Sequence, residues 1–451
     1  MTKGKIMPIL LRFTIPLMIG NMFQQLYNMV DTIIVGRFVG AGALAAVGST
    51  GTIMFLTTGF AQGVSSGFSV VVSQKYGAKD LDGVKASVAN GILLSIISSI
   101  LMTVFCLVIM HPLLVLMNTP ADIFDNAYTY IMVISIGISA NVFYNLFSSY
   151  LRAVGNSKAP LFFLVFSACL NVGLDLFFIV VLKTGVAGAA WATNLSQGVS
   201  AVLCAGYIFL KVPALVPEKK HWRLTRRDTR YQLQMGIPMA LQFAITSSGT
   251  MIMQSAINLF GSEAVAAYTA ACKVHSLLTQ GMVAMGQTMA VYSGQNYGKG
   301  DAKRIRDGVK AALLIDVIYS VVSAVLVSLL LGVTLGLFFS GDVDLTVMMP
   351  WARTYITICT LFYIPLSTIF IFRNTMQGCG YGFLPMMGGV VELVARLSVA
   401  MIAMRVHSYA LSCFCDPAAW LSAGLFTGVS YLFVMKKIRA SLEPKSVTVQ
   451  P

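Results

Sequence analysis

Charge is scarce in this sequence. Asp, Glu, Lys and Arg make up 11% of its 451 residues, where soluble domains carry about a quarter. Acids are the scarcer sign, 17 against 31 Lys and Arg. So few charges exclude a chain whose main solvent is water, and the 57% hydrophobic content and mean hydropathy of +0.79 point to lipid instead. There is no G-x-x-x-x-G-K-[ST] loop, no cytosolic stretch long enough for a nucleotide-binding domain, no H-E-x-x-H pair and no nucleophile with its base, so neither an ATPase nor an enzyme is expected. The eight cysteines (106, 169, 204, 272, 359, 379, 413, 415) form no CxxC pair and no loop framework, and read as small hydrophobes. The first apolar stretch contains Arg12 and lacks a small-residue cleavage pattern, so it is expected to stay as a span.

What is present is long uncharged runs. A helix crosses the hydrocarbon core with roughly 20 apolar residues, and twelve such runs can be drawn. The first six are at about 9–36, 44–73, 86–116, 126–151, 160–182 and 186–211. The second six are at about 232–260, 264–293, 309–339, 349–372, 383–404 and 412–435, the last interrupted at its start by Asp416 and Pro417. The expected fold is an all-α polytopic membrane protein. Its parts are a first six-helix lobe (1–211), a basic cytoplasmic linker (212–230), a second six-helix lobe (231–440) and a cytoplasmic tail (441–451).

The net charge of +14 would suggest nucleic acid in a soluble protein. Here it reports orientation. With the N-terminus inside, 25 of the 31 basic residues fall on the cytoplasmic face, Arg373 and the linker's EKKHWRLTRRDTR among them. Arg37, Lys183, Arg353 and Arg405 fall outside. This bias places both termini in the cytoplasm of a cell-membrane protein with an even number of spans, and no nucleic-acid partner is expected. The linker reads as a segment lying against the lipid.

The chain repeats itself at an offset of about 221 residues, setting SQKYGAKD (73–80) on GQNYGKGD (294–301). Pro16 falls near Pro238, and Gly155 and Pro160 fall on Gly380 and Pro385 once the offset reaches about 225. Six spans is an even number, so the copies enter from the same side and are expected to be related by a pseudo-two-fold axis along the membrane normal. Such repeats place a solute path between or within the lobes, with alternating access from moving one against the other.

An ionised carboxylate at the bilayer centre costs about 2.5–3.5 kcal/mol, so those that persist are paired, protonated or used. The spans hold Asp31, Asp175, Asp316 and Glu392. Counting ~1.5 Å per residue from the outer anchors puts Asp31 roughly 9 Å deep, Asp175 about 12 Å and Thr193 about 15 Å. Tyr27 precedes Asp31 by four residues, and Asn171 precedes Asp175 by four, so each pair shares a helix face. An all-oxygen set of this kind suits a hard monovalent cation, Na⁺ held by Asp31 and Asp175, or one proton shared between them. The competing reading is polar glue between helices. Glu392 and Arg396, four apart, read equally as an internal ion pair or a transport element, and Asp316 has Lys273 as a conceivable partner. Pro16 removes a backbone hydrogen bond within the first span and reads as a hinge. Gln24, Gln25, Asn28, Asn141 and Asn145 are candidates for lining a solute cavity, with Gln24 and Asn145 taken as the substrate-binding pair.

The segments LMIGNMFQQLYNMVDTIIVGRFVGAGALAAVG after Pro16, YLRAVGNSKAP (150–160) and NVGLDLFFI (171–179) closely resemble the MATE family of multidrug and toxic compound extrusion exporters. The resemblance spans nearly the whole chain. It implies that Asp31, Asn171, Asp175, Thr193 and Tyr27 form the first-lobe cation site of the DinF-type branch, coupled to H⁺, Na⁺ or both, and that Pro16 bends the first helix. The other bacterial branch carries acids in the seventh and tenth spans. These spans have none here, Gln242 and Thr246 standing in the seventh, so second-lobe coupling is not expected. At the repeat offset Asp175 falls on Ala400, Asn171 on Arg396 and Asp31 near Met253.

The expected function is therefore secondary active export of small organic solutes, cationic or amphipathic, by a monomer working as a cation antiporter, with H⁺ or Na⁺ as coupling ion and no other cofactor. One cation falling through 100 mV supplies about 2.3 kcal/mol, or roughly fifty-fold accumulation. The alternative is a flippase of a lipid-linked glycan or lipid. Its pyrophosphate demands several cations inside the membrane, and the spans offer Lys273 and Arg396.

Overall fold

The computed structural model describes residues 1–117, 119–336 and 345–442. The expected tail lies outside them from residue 443, as does the end of the span expected at 309–339. Among the described residues all regular structure is helical. The first half runs α1 (Ile6–Phe38), α2 (Ala41–Ser49), α3 (Gly51–Gly77), α4 (Leu81–Leu116), α5 (Ala121–Ile136), α6 (Ile138–Ala153), α7 (Lys158–Asp175) and α8 (Gly185–Lys211). The second runs α9 (Arg226–Ile257), α10 (Ser262–Lys299), α11 (Ala302–Gly336), α12 (Leu345–Thr360), α13 (Tyr363–Gly378), α14 (Phe383–Val406), α15 (Tyr409–Cys413) and α16 (Cys415–Leu442).

Eight spans pass on length and apolar composition, and α5–α6 and α12–α13 make two more, each a span broken by a bend of 47° or 49°. Helices α9 and α10 are more polar but, at 32 and 38 residues, complete the twelve. The two copies start their third spans alike. Asp80 caps α4 through Gly83 N–H (2.9 Å), and Asp301 accepts from Arg304 N–H (2.9 Å) at the start of α11, each satisfying an orphan amide.

Packing divides the chain into two compact units whose limits differ from those of the repeat: Ile19–Phe243 forms one, and Met1–Met18 with the chain from Ala244 on forms the other. Helices α1 and α9 therefore each begin in one unit and end in the other. In the first unit α3 and α9 touch backbone to backbone, since a Cβ at Gly67 would stand 2.4 Å from Gly236 Cα. Small residues permit this approach, and dispersion then replaces the hydrophobic force that lipid cannot supply. In the other unit, Phe13 and Leu17 pack with Ala284 and Val291, and Thr14 Oγ1 meets Thr288 Oγ1 at 2.7 Å.

The basic linker is docked on protein. Lys85 binds Glu218 (2.6 Å), Lys220 and His221 meet Asp82 (2.6 and 3.0 Å), and Lys75 reaches Asp228 (2.8 Å). Asn90 of α4 accepts from Thr225 N–H and the Thr229 hydroxyl and donates to Gln232 (3.2, 3.0 and 2.8 Å). Hydrogen bonds from Lys220 and His221 hold the Asp82 carboxyl below its ordinary value, and Lys85 does the same to Glu218. Arg223, Arg226, Arg227 and Arg230 stay exposed.

Candidate functional site

The buried acids of the first unit converge. Asp31 lies in the C-terminal half of α1, and Asp175 is the last residue of α7, fully buried with Asn171 one turn before it. Their two carboxyls lie within hydrogen-bonding reach of each other. An O···O contact of that kind needs a proton or a cation between the oxygens, because two bare carboxylates repel. Asp31 Oδ1 and Asp175 Oδ1 are both buried without a donor among the described residues.

Three further side chains shape the pair. Asn171, with its amide turned to satisfy both neighbours, donates to Asp175 Oδ2 (3.0 Å) and accepts from Thr193 N–H (3.2 Å). In this arrangement the amide orients Asp175, and its oxygen accepts from the backbone of α8. The Thr193 hydroxyl gives its proton to Ala189 O (3.1 Å) and lies within reach of the Tyr27 hydroxyl, which leaves Tyr27 as donor between them. Among the described residues no group of three Asp, Glu, His or Cys gathers as for a divalent or transition metal. Two carboxyls with neutral oxygens fit a monovalent cation or a proton.

Local backbone aims these groups. Directly after Asp175 the helix widens into a π turn, Leu176–Val181, a distortion that recurs at functional sites. Between α5 and α6 the break falls at Gly137, where a Cβ would stand 2.0 Å from the Asn194 side chain. Asn194 instead enters the break and donates to Val133 O (2.6 Å), a second donor on a carbonyl that also accepts from Gly137 N–H (3.3 Å).

Tyr130 of α5 was not among the expected site residues. It is 3% exposed, packs with Ile34 and Val35 of α1 and Ala189 and Ala190 of α8, and lies within electrostatic range of Asp31, Tyr27 and Asp175. Its hydroxyl is one of several in that stretch, beside Tyr128 and Thr129, so the sequence does not single it out.

Gln24 is exposed on α1. Asn145 bonds to Asn141 O and Oδ1 (2.9 and 3.1 Å), and Asn141 reaches Gln197 (3.2 Å). Neither Gln24 nor Asn145 hydrogen-bonds to the carboxyl pair among the described residues. Pro16 lies within the continuous helix α1, two residues before the chain passes from one packing unit to the other.

The other unit holds charges that sequence reasoning placed differently. Arg373, expected on the cytoplasmic face, is 5% exposed inside the unit and bonded to Glu392. Glu392 and Arg396 pair at 3.7 Å, one of the two readings their spacing allowed, and Arg396 Nε also binds Asp416 Oδ1 (2.8 Å). Lys273 is exposed, and Asp316, buried at 1%, has no ion-pair partner among the described residues.

A family model described as MatE matches this chain twice, over residues 16–177 and 238–402. The probable multidrug resistance protein YpnP of Bacillus subtilis is 29% identical over 306 residues, 67% of this chain and 68% of that protein. The probable multidrug resistance protein YoeA of the same organism is 25% identical over 375 residues, 82% of this chain and 80% of that protein. The crystal structure of MATE in complex with MaL6 superposes with a TM-score of 0.89 at 24% identity, covering 98% of each chain, and shows the fold to be shared.

Proposed function

Since the chain belongs to the MatE family, we propose that it exports small organic solutes across the cell membrane by secondary antiport, taking up H⁺ or Na⁺ at the Asp31–Asp175 cluster. The observation that carries this reading is the carboxyl pair itself. Two buried acids from two helices approach within hydrogen-bonding reach, and each keeps an oxygen without a donor. Such a pair is stable only with a positive charge or a proton between its members.

The coupling follows from that need. With the cation in place, α1 and α7 are drawn together through their acids, with Asn171 holding Asp175 in line and Tyr27 anchored on Thr193. When the cation leaves, the acids repel and the outer half of α1 is released. Pro16, fifteen residues earlier, removes one rung of the α1 ladder and supplies the hinge at which that half bends. Alternating access then exchanges inward cation flow for outward solute flow, at about 2.3 kcal/mol per charge per 100 mV. Gln24 and Asn145 are the polar contacts assigned to the solute, and both termini lie in the cytoplasm, as the basic residues direct. The names of the two bacillar relatives favour organic solutes as cargo. A flippase for pyrophosphate-linked lipids is disfavoured, because the buried guanidiniums of Arg373 and Arg396 are engaged by Glu392 and Asp416.

The test is efflux of a fluorescent organic cation from proteoliposomes with pH and Na⁺ gradients imposed separately. Efflux that follows one gradient supports antiport and identifies the ion. Efflux indifferent to both, with the protein inserted and folded, refutes it.

A further inference from the structure

Helices α7 and α14 begin at Lys158 and Phe383, 225 residues apart. At that offset Asn171 meets Arg396, Asp175 meets Ala400, and Asp416 falls two positions before the counterpart of Thr193. Pro16 and Pro238 align α1 with α9 at an offset of 222, the same offset at which the family model restarts, which sets Tyr27 on Gly249 and Asp31 on Met253. The second copy thus lacks the phenol and both acids of the first at these positions, and carries a guanidinium.

Space and charge agree on where that guanidinium lies. A Cβ at Gly249 would stand 2.8 Å from Arg396 Nη1, so Arg396 occupies room that a tyrosine there would fill. Its Nε binds Asp416 Oδ1 at 2.8 Å, and Glu392 Oε2 lies 3.7 Å from its Nη1. Arg373 bonds to the other oxygen of Glu392. Arg373, Glu392, Arg396 and Asp416 are all at most 8% exposed, and their charges cancel. His275 and Cys272 of α10 and Tyr355 and Cys359 of α12 also lie around Asp416.

We propose that Arg396 is a tethered cation, filling in the second unit the place that the first unit leaves to an exchangeable ion. One repeat then loads and unloads with the gradient while the other is permanently loaded. The inference rests on the reading of Asp31–Asp175 as the exchangeable site. It adds that Asp416, and the Glu392 oxygen that Arg373 does not hold, are closed to ions by Arg396.

Ion binding to the purified full-length protein tests this, with radiolabelled Na⁺ and proton release as probes. Arg396→Gln is expected to bind one more ion per chain than its parent, both in the native background and in Asp31→Asn/Asp175→Asn, and to gain thermal stability with added Na⁺ or acid. Arg396→Lys keeps the tethered charge and should gain no ion. A folded Arg396→Gln with no extra ion overturns the proposal. If Arg396→Gln does not fold, the Asp31→Asn/Asp175→Asn chain decides. With Arg396 intact it should bind nothing, and an ion that remains bound and is then lost on adding Glu392→Gln overturns the tethered cation. A remaining ion that Glu392→Gln does not remove counts against the Asp31–Asp175 reading instead.

Discussion

At the repeat position where the first unit carries Asn171, the second carries Arg396, and the two clusters around them handle buried acids in opposite ways. In the first, a neutral amide orients Asp175 beside Asp31, and oxygens are left without donors. In the second, two guanidiniums cancel two carboxylates across α13, α14 and α16. Burying a charge is costly without a partner. The second unit meets that cost within its own chain, whereas on the function proposed above the first leaves it to an ion from solution. An unmet charge can respond to a gradient, and a cancelled one cannot. The contrast teaches that a duplicated scaffold can divide labour without changing its helices, by exchanging a handful of side chains at matched depth.

The largest effect tests the first side of this contrast. Asp31→Asn or Asp175→Asn should abolish gradient-driven efflux in proteoliposomes while leaving expression and insertion intact, because the charge and not the volume is required. Retained efflux would erase the distinction between the units. Next comes stability. Arg396→Ala leaves Asp416 buried and unpaired and should cost about 3–5 kcal/mol, whereas Asn171→Ala removes a hydrogen bond and should cost about 1–3 kcal/mol. Thermal unfolding in detergent compares them, and equal losses would mean that both clusters are structural. Smaller again, Tyr130→Phe removes one hydroxyl near the acids and should shift the ion concentration for half-maximal efflux by up to roughly fivefold, about 1 kcal/mol, with no change when the ion gradient is saturating. The smallest effect lies outside the bilayer. Asp82 and Glu218 have lowered values in the folded chain, so docking of the linker is fully present above the ordinary carboxylate range and is lost only as pH falls through those lowered values. Hydrogen exchange over residues 212–230 should therefore stay slow near neutrality and rise only in strong acid, with neither buried cluster opening in step.

How much of this was legible in the sequence depends on whether a feature is local to one helix. The spans and the pairs Tyr27/Asp31 and Asn171/Asp175 follow from apolar length and i, i+4 spacing alone, and the structure brings those four residues together with Thr193. Tyr130 was missed because its bearing on the acids depends on contacts with α1 and α8. Arg373 read as a loop cation because it lies five residues from the end of α13, and only the fold shows Glu392 drawing it inward. Asp416 read as an interruption of the last span, although it completes the network with Arg396. The packing units were equally out of reach, because the repeat marks where each copy starts and not which neighbours its first helix keeps.

The bend between α5 and α6 is braced by a residue on another helix. Asn194 follows the Val133 carbonyl it donates to by 61 positions. Chains are made from the N-terminus and fold as they emerge, so the fourth span is made before the side chain that braces its bend. The brace, and the fixing of Tyr130 relative to α8 that goes with it, can form only once α8 has been made. A chain truncated before residue 194 would insert its fourth span without that brace.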